Sequence, residues 1–312
     1  HVEWNVSKDG YLKPRVCIEP VTLVGVTIQH ATGFNAKFIV DNKVGPGARL
    51  RITRSGDVIP FIQETITPAP GGAELPMEDV VWNATGVDLM LRDVDSSEAV
   101  QFERLTDFFS SIDVAHLGDG NLRKIFDMGF TTPEQIIKLL RFEIGTLVGS
   151  SAIGNKIYDS LRTKLTNIPL YVLMGSHQAF GRGVGVRKMK KLYEAFNGDM
   201  SRCADVNAVI AVEGFDTKTA TKIAAGVARF NQFLADIEGL VTIAPFEERK
   251  VGKLTGKTVV FTGFRSSELE QRIVDIGGKI GSGVSKQTTF LVTAEPNSTS
   301  SKAVKARQLG VT

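Results

Sequence analysis

Four short glycine-containing turns between residues 113 and 225 hold the residue types best suited to chemistry in this chain. They read VAHLGDG at 114–120, GSSAIGNK at 149–156, GRGVGVRK at 181–188 and VEGFDTK at 212–218. Such a turn exposes backbone N–H groups at a helix N-terminus, where the macrodipole favours negative charge. Glycine lets the backbone come close to a phosphate oxygen. Four such turns in tandem indicate binding to a long polyanion rather than to one nucleotide.

The charge distribution supports this interpretation for the third turn. The chain has 37 Lys and Arg against 34 Asp and Glu, a formal net charge of +3. No acidic residue lies between Asp159 and Glu194, and that stretch contains the following basic residues: Arg162, Lys164, Arg182, Arg187, Lys188, Lys190 and Lys191. A solvated charged face is the alternative, but the glycine turn among these residues favours phosphate contact.

The elements that would position these turns differ along the chain. Residues 1–64 are predicted to form a five-stranded OB-fold barrel, because short alternating runs at 16–18, 21–28, 37–40 and 49–54 are separated by Gly and Pro. Residues 65–101 are predicted to be a linker with a small irregular module, since Pro and Gly are followed there by an acidic stretch. The period becomes helical over 102–245, which predicts a compact all-helical domain.

The last region, 251–312, alternates strand and helix. Strands are predicted at 257–263 and 288–293 with a helix at 267–276 between them, which indicates a small α/β domain with a parallel sheet. The sequence stops where a further strand is expected, so we expect this domain to be incomplete at its C-terminal end. The fold class is therefore multidomain α+β.

Composition excludes several protein classes. With 42% hydrophobic and 23% charged residues, no apolar run reaches the roughly 20 residues that span a bilayer. No signal-peptide pattern is present, so a cytoplasmic setting is the expectation. The two cysteines, Cys17 and Cys203, are far apart and indicate neither a disulfide framework nor a zinc site.

The order of these modules resembles the C-terminal half of NAD-dependent DNA ligases over nearly the whole chain. EPVTLVGVTI at 19–28, ATGFN at 31–35 and RSGDVIP at 54–60 are similar to the OB-domain signature of that family. LTGKTVVFTG at 254–263, Gly277-Gly278 and SKQTTFLV at 285–292 are similar to the BRCT domain that ends these ligases. The resemblance implies that the helical turns are helix-hairpin-helix motifs.

The resemblance also implies a DNA-binding arrangement. In the family, the OB domain clamps nicked duplex DNA across the minor groove, and the hairpins hold the backbone on the opposite side. Arg54, Val58 and Ile59 match OB positions that meet DNA near the nick. Lys8 and Asp9 stand where the family usually has Arg-Thr, so the positive charge is kept without bidentate geometry. The expected DNA-binding residues are Lys8, Arg54, Val58, Ile59, Gly118, Gly154, Lys156, Arg182, Gly183, Gly185, Arg187, Lys188 and Lys190.

The hairpins are not equivalent. The glycine-hydrophobe-glycine core of the motif is complete only at 183–185, while the other turns read HLG at 116–118, AIG at 152–154 and GFD at 214–216. Asp216 adds negative charge where the motif has glycine, so we expect the fourth hairpin to be structural. The second and third hairpins are expected to bind DNA best.

A second departure concerns zinc. In the family a four-cysteine module joins the barrel to the helices, but here Trp82 and Thr85 stand on cysteine positions and no cysteine follows before Cys203. Zinc is therefore not expected in this region. Val80, Val81, Trp82 and Leu89 are expected to form a small apolar core instead.

The chemistry of ligation requires a further part. The family becomes adenylylated on the lysine of a Lys-x-Asp-Gly motif, which this chain lacks. No catalytic residue is therefore assigned here, and NAD is expected to be used by an adenylation domain or polypeptide outside this chain. The chain would position nicked DNA for sealing in replication and repair. Both a fragment of a single-chain ligase and the second subunit of a split phage ligase fit, and the divergent hairpins favour the subunit.

Two other functions compete with this one. A non-enzymatic DNA-binding scaffold would recruit partners through its BRCT domain, in which Thr262-Gly263 with Lys302 or Lys305 resembles a phosphate pocket. A turn that merely ends a strand is the favoured alternative for Thr262-Gly263. A nuclease would need clustered carboxylates, and the acidic residues between Glu74 and Glu98 lie in a Pro/Gly-rich linker, which disfavours it.

Overall fold

The computed structural model describes residues 1–23, 25–55, 59–246, 252–295 and 297–311. The chain divides into two compact units, His1–Pro245 and Phe246–Thr312. Each unit is described separately below. Among the described residues, no helix is long and apolar enough to cross a membrane.

The first unit begins with a seven-stranded sheet that curves into a half-barrel, called the barrel below. Its strands are β1 (Val2–Val6), β2 (Tyr11–Leu23), β3 (Val26–Thr32), β4 (Arg49–Ser55), β5 (Ile59–Thr67), β6 (Val80–Trp82) and β7 (Leu89–Leu91). The order is β4-β5-β3-β2-β7-β6, with β1 also paired to β2. The long strand β2 pairs antiparallel with β1, β3 and β7, and its register with β3 shifts between Cys17 and Val21. Pro20 falls within that shift, where a residue without an N–H is tolerated.

One predicted strand is wrong. The run at 37–40 lies in a short helix, α1 (Ala36–Asp41), which follows β3. Asn35 caps this helix by accepting a hydrogen bond from the Phe38 N–H at 2.9 Å. Ala36 and Ile39 are fully buried on the same helix face, and each belongs to one of the two apolar clusters of the barrel. A local cap and an i, i+3 apolar pair therefore outweigh the β-propensity of the run.

The predicted linker at 65–101 contains part of the sheet. β6 and β7 form a hairpin that extends the barrel through the pairing of β7 with β2. Of the expected apolar core, Leu89 is buried and Val80 packs against it in the barrel core, but Trp82 is 45% exposed, so the prediction is wrong for Trp82. The Asn83 carboxamide holds the turn by accepting from the N–H groups of Val87 and Asp88. The residues of this turn offer no thiol, so they do not fit the four-cysteine zinc module of the family.

Nine further α-helices and two 3-10 helices follow among the described residues of the first unit, up to Asp236. The α-helices are α2 (Glu98–Ser111), α3 (Asp119–Asp127), α4 (Pro133–Lys138), α5 (Arg141–Val148), α6 (Ser151–Leu165), α7 (Leu170–Ser176), α8 (Val186–Ala195), α9 (Val206–Ile210) and α10 (Thr217–Asp236), and 3-10 helices lie at Gln178–Phe180 and Met200–Ala204. Val100 of α2 is buried in the same cluster as Leu12 and Leu89 of the barrel. The helices and the barrel therefore share core contacts at this point.

Two glycines let paired helices approach closely. A Cβ on Gly154 of α6 would lie 2.3 Å from the Gly145 Cα of α5, and a Cβ on Gly175 of α7 would lie 2.3 Å from the Val186 Cα of α8. Any side chain at either position would push the helices apart. These contacts fix the geometry of the turns between α5 and α6 and between α7 and α8.

The second unit is a small α/β arrangement with a parallel sheet. Its elements are β8 (Thr258–Thr262), α11 (Ser267–Asp275), β9 (Lys279–Gly281), β10 (Phe290–Thr293) and α12 (Ser301–Leu309). The strand order is β10-β8-β9, and both pairings are parallel. Val260 at the sheet centre is fully buried with Val284 and Ala306. The alternation of strand and helix predicted this sheet, whereas β9 and α12 were not anticipated.

Candidate nucleic-acid interface

Each of the four glycine turns joins two helices, namely α2 to α3, α5 to α6, α7 to α8 and α9 to α10. Side chains cap two of the second helices. The Ser150 hydroxyl accepts from the Ile153 N–H of α6 at 3.3 Å, and the Asp216 carboxylate accepts from the Thr219 N–H of α10 at 2.7 Å. The caps of α3 and α8 are Gly118 and Gly185, which supply no side-chain hydrogen bond. The N-termini of α3 and α8 are therefore the ones left open to an external anion.

The third turn has an accessible backbone. Gly181 and Gly183 adopt left-handed φ values of 68° and 85°, which glycine accepts without steric cost. The Gly185 carbonyl accepts from the N–H groups of Lys188 and Met189. Within the described ranges, the N–H groups of Val186 and Arg187 at the start of α8 have no acceptor. No atom lies within 4 Å of a Cβ built on Gly183 or Gly185, so an anion can reach this backbone.

Basic side chains surround the same turn. Arg182, Arg187 and Lys190 are exposed, and Lys188 is partly buried. No acidic residue lies in the first turn of α8. The third turn therefore combines open backbone donors with a positive field, the two features that favour a phosphate group.

Two further lysines lie where the third and fourth turns meet. The Lys222 ammonium of α10 lies 3.5 Å from the Arg182 carbonyl, and the Lys191 Nζ lies 3.0 Å from a Cβ built on Gly214. The pKa of Asp216 is lowered mainly by its hydrogen bonds from Thr219, and the nearby Lys188 lowers it further. The carboxylate is therefore occupied as a helix cap beside a lysine.

Lys191 and Lys222 are absent from the residues expected to bind DNA. The sequence held a usable signal for Lys222, since Lys218 and Lys222 are spaced i, i+4 at the start of α10 and therefore share a helix face. Their link to the third turn depends on tertiary packing, which local spacing does not reveal.

The first turn has similar backbone geometry and the opposite charge. Gly118 caps α3 without a side chain, but Asp119 occupies the first helical position. The pKa of the half-buried Glu103 is raised by burial and then by Asp119 and Asp107, so carboxylates crowd this side of the turn. Asp113 is paired with Lys164 at 2.5 Å. Gly118 thus stands in a negative field, which disfavours phosphate.

The second turn is intermediate between the third and the first in how well it could bind a phosphate. Gly154 is buried, and its N–H donates to the Ser150 carbonyl at 2.8 Å. The structure gives Gly154 a helix-packing contact with Gly145, and its amide is engaged within α6. Lys156 is exposed on the same helix. A phosphate at this turn would meet Lys156 rather than the backbone of Gly154.

The structure describes only one of the barrel side chains that the sequence predicts to bind DNA. Lys8 forms an ion pair with Asp107 of α2 at 2.5 Å, and the Arg104 Nε donates to the Lys8 carbonyl at 3.1 Å. Lys8 therefore ties the β1–β2 turn to α2. Val58 lies outside the described residues, as do the side chains of Arg54 and Ile59, so their roles stay predictions.

One contact joins the barrel to the third turn directly. The Arg182 guanidinium carbon lies 3.8 Å from the ring centroid of Tyr11 in β2, a cation–π distance. Arg182 remains exposed. The barrel therefore positions one of the expected DNA-binding arginines, a role of Tyr11 that the sequence did not suggest.

A buried histidine lies immediately before the third turn. His177 is 7% exposed and stacks on Phe233 with ring centroids 4.5 Å apart. Its Nδ1 accepts from the Ala179 N–H at 3.2 Å. Burial, with a smaller contribution from Arg229, lowers the pKa of His177 to about 4. The imidazole is therefore neutral at physiological pH and serves as part of the support beneath the turn.

Comparison with known proteins identifies both ends of the chain. Residues 1–73 match the NAD-dependent DNA ligase OB-fold domain, and residues 249–312 match the BRCA1 C Terminus (BRCT) domain. These matches agree with the barrel of the first unit and with the parallel sheet of the second.

Relatives align along nearly the whole chain. A DNA ligase of Acanthamoeba polyphaga mimivirus is 36% identical over 99% of this chain and 50% of its own length. DNA ligases of Herpetosiphon aurantiacus and Persephonella marina are 28% and 27% identical over 98% and 99% of this chain, and over 48% and 46% of their own lengths. The chain thus spans about half the length of the curated relatives it matches. Together, the family matches and these relatives support the assignment of the chain as a C-terminal part of an NAD-dependent DNA ligase.

Proposed function

We propose that this chain binds nicked double-stranded DNA and positions the nick for sealing by an adenylation domain or polypeptide. The OB-fold barrel contacts the duplex near the nick, and the helix pairs act as helix-hairpin-helix motifs on its backbone. Holding the 3′-hydroxyl against the adenylylated 5′-phosphate supplies catalysis by orientation. NAD is consumed by the adenylation part, and this chain contributes no residue to that step.

The N-terminus of α8 is the single observation that carries the proposal. Backbone N–H groups that have no acceptor among the described residues, an N-cap without a side-chain bond and the surrounding Arg182, Arg187 and Lys190 converge on one exposed surface. Each property is common alone. Their combination is the arrangement by which a helix N-terminus binds a phosphodiester.

The proposal divides the hairpins by role. The third hairpin is the principal phosphate site, with Lys188 and Lys190 on α8, and Lys222 of the fourth hairpin adds to its positive field. Lys156 of the second hairpin makes a weaker contact. The first hairpin, with Asp119 at its helix start, is structural. The domain division at 1–64, 65–101, 102–245 and 251–312 is part of this proposal.

The contacts of the second unit do not favour the scaffold alternative. The Thr262 hydroxyl shares a 2.8 Å hydrogen bond with the Ser300 hydroxyl. The Lys302 ammonium donates to the Phe261 carbonyl at 3.2 Å. Both groups are engaged within the fold, and Thr262 is buried. A turn at the end of β8 explains Thr262-Gly263 without a phosphorylated partner.

Reconstitution tests the proposal. The chain is mixed with the separately produced adenylation half of an NAD-dependent ligase, and sealing of a fluorescent nicked duplex is followed with NAD present. We expect the chain to raise the rate of sealing over the adenylation half alone. The Lys188→Glu/Lys190→Glu variant should give a much smaller gain, whereas Lys43→Glu/Lys138→Glu, which makes the same charge change at exposed sites elsewhere, should match the parent. No gain with the parent chain would refute the positioning role.

A further inference from the structure

Metal-ligating side chains gather on the outer face of the barrel. The donor atoms of His1, Glu3 and Cys17 all lie within 4.8 Å of one another. His1 and Glu3 are two residues apart at the start of β1, and Cys17 lies opposite on β2. Imidazole, carboxylate and thiol are the three donor types that zinc accepts in proteins.

Strand register explains why these groups meet. His1 and Cys17 face each other as a hydrogen-bonded pair, with the Cys17 N–H donating to the His1 carbonyl at 2.9 Å. The neighbouring pair Val2 and Val16 points into the barrel core. Because side chains alternate along a strand, His1 and Cys17 must point outward. The cluster is therefore a consequence of the barrel and not a chance meeting of mobile side chains.

A fourth donor stands in the same row. His30 of β3 is the direct cross-strand partner of Cys17, while its neighbour Ala31 pairs with Val16 in the core. His30 therefore lies on the outward face beside Cys17. Its imidazole is exposed. The donor atoms of His1, Glu3 and Cys17 already lie within 4.8 Å of one another, and the His30 imidazole would join them by rotating toward Cys17.

The carboxylate is already oriented for this role. Arg15 donates from its Nε to the Glu3 Oε2 at 2.8 Å, while Oε1 faces the His1 Nε2 at 3.6 Å. An outer hydrogen bond that holds one oxygen of a carboxylate and leaves the other free is a usual second layer of metal sites. The Cys17 Sγ lies within 4.8 Å of the donor atoms of Glu3 and His1.

We propose that His1, Glu3, Cys17 and His30 form a zinc-binding site on the outer face of the barrel. On binding, the Cys17 thiol releases its proton to solvent, and the thiolate sulfur, the two imidazole nitrogens and Glu3 Oε1 bind one Zn²⁺ in a tetrahedron. Ligands at the usual bond lengths lie roughly 3.3–3.7 Å apart, so the three donors within 4.8 Å of one another need small side-chain rotations, and His30 turns in from its place beside Cys17. The bound ion fastens the start of β1 to β2 and β3. This site is separate from the cysteine-free β6–β7 hairpin and does not depend on the proposed DNA-binding function.

Cobalt spectroscopy tests the site directly. The full chain is stripped with a chelator and titrated with Co²⁺, followed by Zn²⁺ in competition with a coloured indicator. We expect one equivalent of metal, with the thiolate-to-cobalt absorption of a cysteine ligand. Cys17→Ser should abolish that absorption, whereas Cys203→Ser should retain it, because the Cys203 thiol is buried and burial raises its pKa to about 12.

Two histidine variants complete the test. His1→Ala and His30→Ala should each weaken Zn²⁺ binding by at least about tenfold, and the exposed His116→Asn should leave it unchanged. Circular dichroism confirms that each variant is folded. Absence of stoichiometric binding by the parent, retention of the absorption in Cys17→Ser, or an unchanged affinity in either histidine variant would overturn the assignment.

Discussion

The first and third glycine turns share a backbone design and differ in their surroundings. Both end at a glycine that caps the next helix without a side-chain hydrogen bond, Gly118 before α3 and Gly185 before α8. Asp119 follows the first glycine, and Glu103 lies close by. After the third glycine turn, Arg187 and Lys188 lie at the start of α8. An open helix N-terminus is thus a necessary feature of a phosphate site, and the neighbouring charges decide whether it can act as one.

The supports beneath the two turns also differ. The third turn follows His177, which is buried among aromatic rings, and it is held to the barrel by Arg182 on Tyr11. The first turn contains His116 at a left-handed φ of 64° and is held to α6 by the Ala115 N–H, which donates to the Ser160 hydroxyl at 2.8 Å. The third turn is therefore part of the predicted helical domain and also contacts the predicted OB-fold domain.

The largest expected effect is on the pH dependence of the free energy of unfolding. It comes from the buried His177 before the third turn and not from the exposed His116 in the first turn. Unfolded His177 takes up a proton below about pH 6.5, while the folded chain keeps it neutral down to about pH 4. The unfolded state binds more protons in this window, so stability rises with pH across it and is lost as pH falls. The shift corresponds to about 3 kcal/mol between the two ends of the window.

Urea unfolding between pH 4 and 7 checks this expectation. His177→Asn keeps an acceptor for the Ala179 N–H and removes the titrating group, so the dependence on pH should become shallower than in the parent. His116→Asn is the matched control, because asparagine tolerates the left-handed conformation and His116 is exposed. The same pH slope in His177→Asn and in the parent would show that His177 does not titrate as described.

Charge reversal at the third turn should give the next largest effect. Lys188→Glu/Lys190→Glu removes two phosphate contacts. The negative slope of the logarithm of the association constant against log salt should become shallower by about 2, and binding should weaken roughly 30-fold at physiological salt. Fluorescence anisotropy of a labelled nicked duplex across a salt series measures both quantities. Lys43→Glu/Lys138→Glu should retain the parental slope. Equal slopes for the two double variants would contradict the assignment of the site.

Conversion of the first turn toward the third should give a smaller gain. Asp119→Lys replaces the carboxylate at the start of α3 with a cation beside an open glycine cap. If charge alone separates the two turns, binding should strengthen by roughly fivefold and the salt slope should steepen by about 1. The same anisotropy series reports it. An unchanged slope would mean that the first turn faces away from the DNA.

The sequence was informative where local chemistry and spacing decide the outcome. The glycine turns, the strand at 257–263 and the helix at 267–276 follow from turn residues and periodicity, and the structure has elements at these positions. The helix at 36–41 was missed because its Asn35 cap and buried Ile39 act against the β-propensity of the run. The approach of the β6–β7 hairpin to β2 was missed because strand pairing across many residues leaves no local signal.

The candidate site shows the same division. Gly183, Gly185 and Lys190 could be identified from motif and charge, and the structure places them on one exposed or partly exposed surface. The engagement of Lys8 with Asp107 could not be foreseen, since the two residues are joined only by tertiary packing. The packing role of Gly154 was hidden for the same reason: a glycine needed for close helix contact and one needed for phosphate approach look alike in sequence.

The most direct test adds one methyl group to each of the two glycine caps. Gly185 and Gly118 both have an extended backbone and open space where a Cβ would lie. The chain should therefore fold normally with either Gly185→Ala or Gly118→Ala. At Gly185 the methyl group lies where a phosphate must approach the amides of α8, so binding of nicked duplex DNA in the anisotropy assay should weaken several-fold. At Gly118 binding should not change. Equal affinities for the two variants, or a loss confined to Gly118→Ala, would contradict the claim that the third turn holds the DNA backbone.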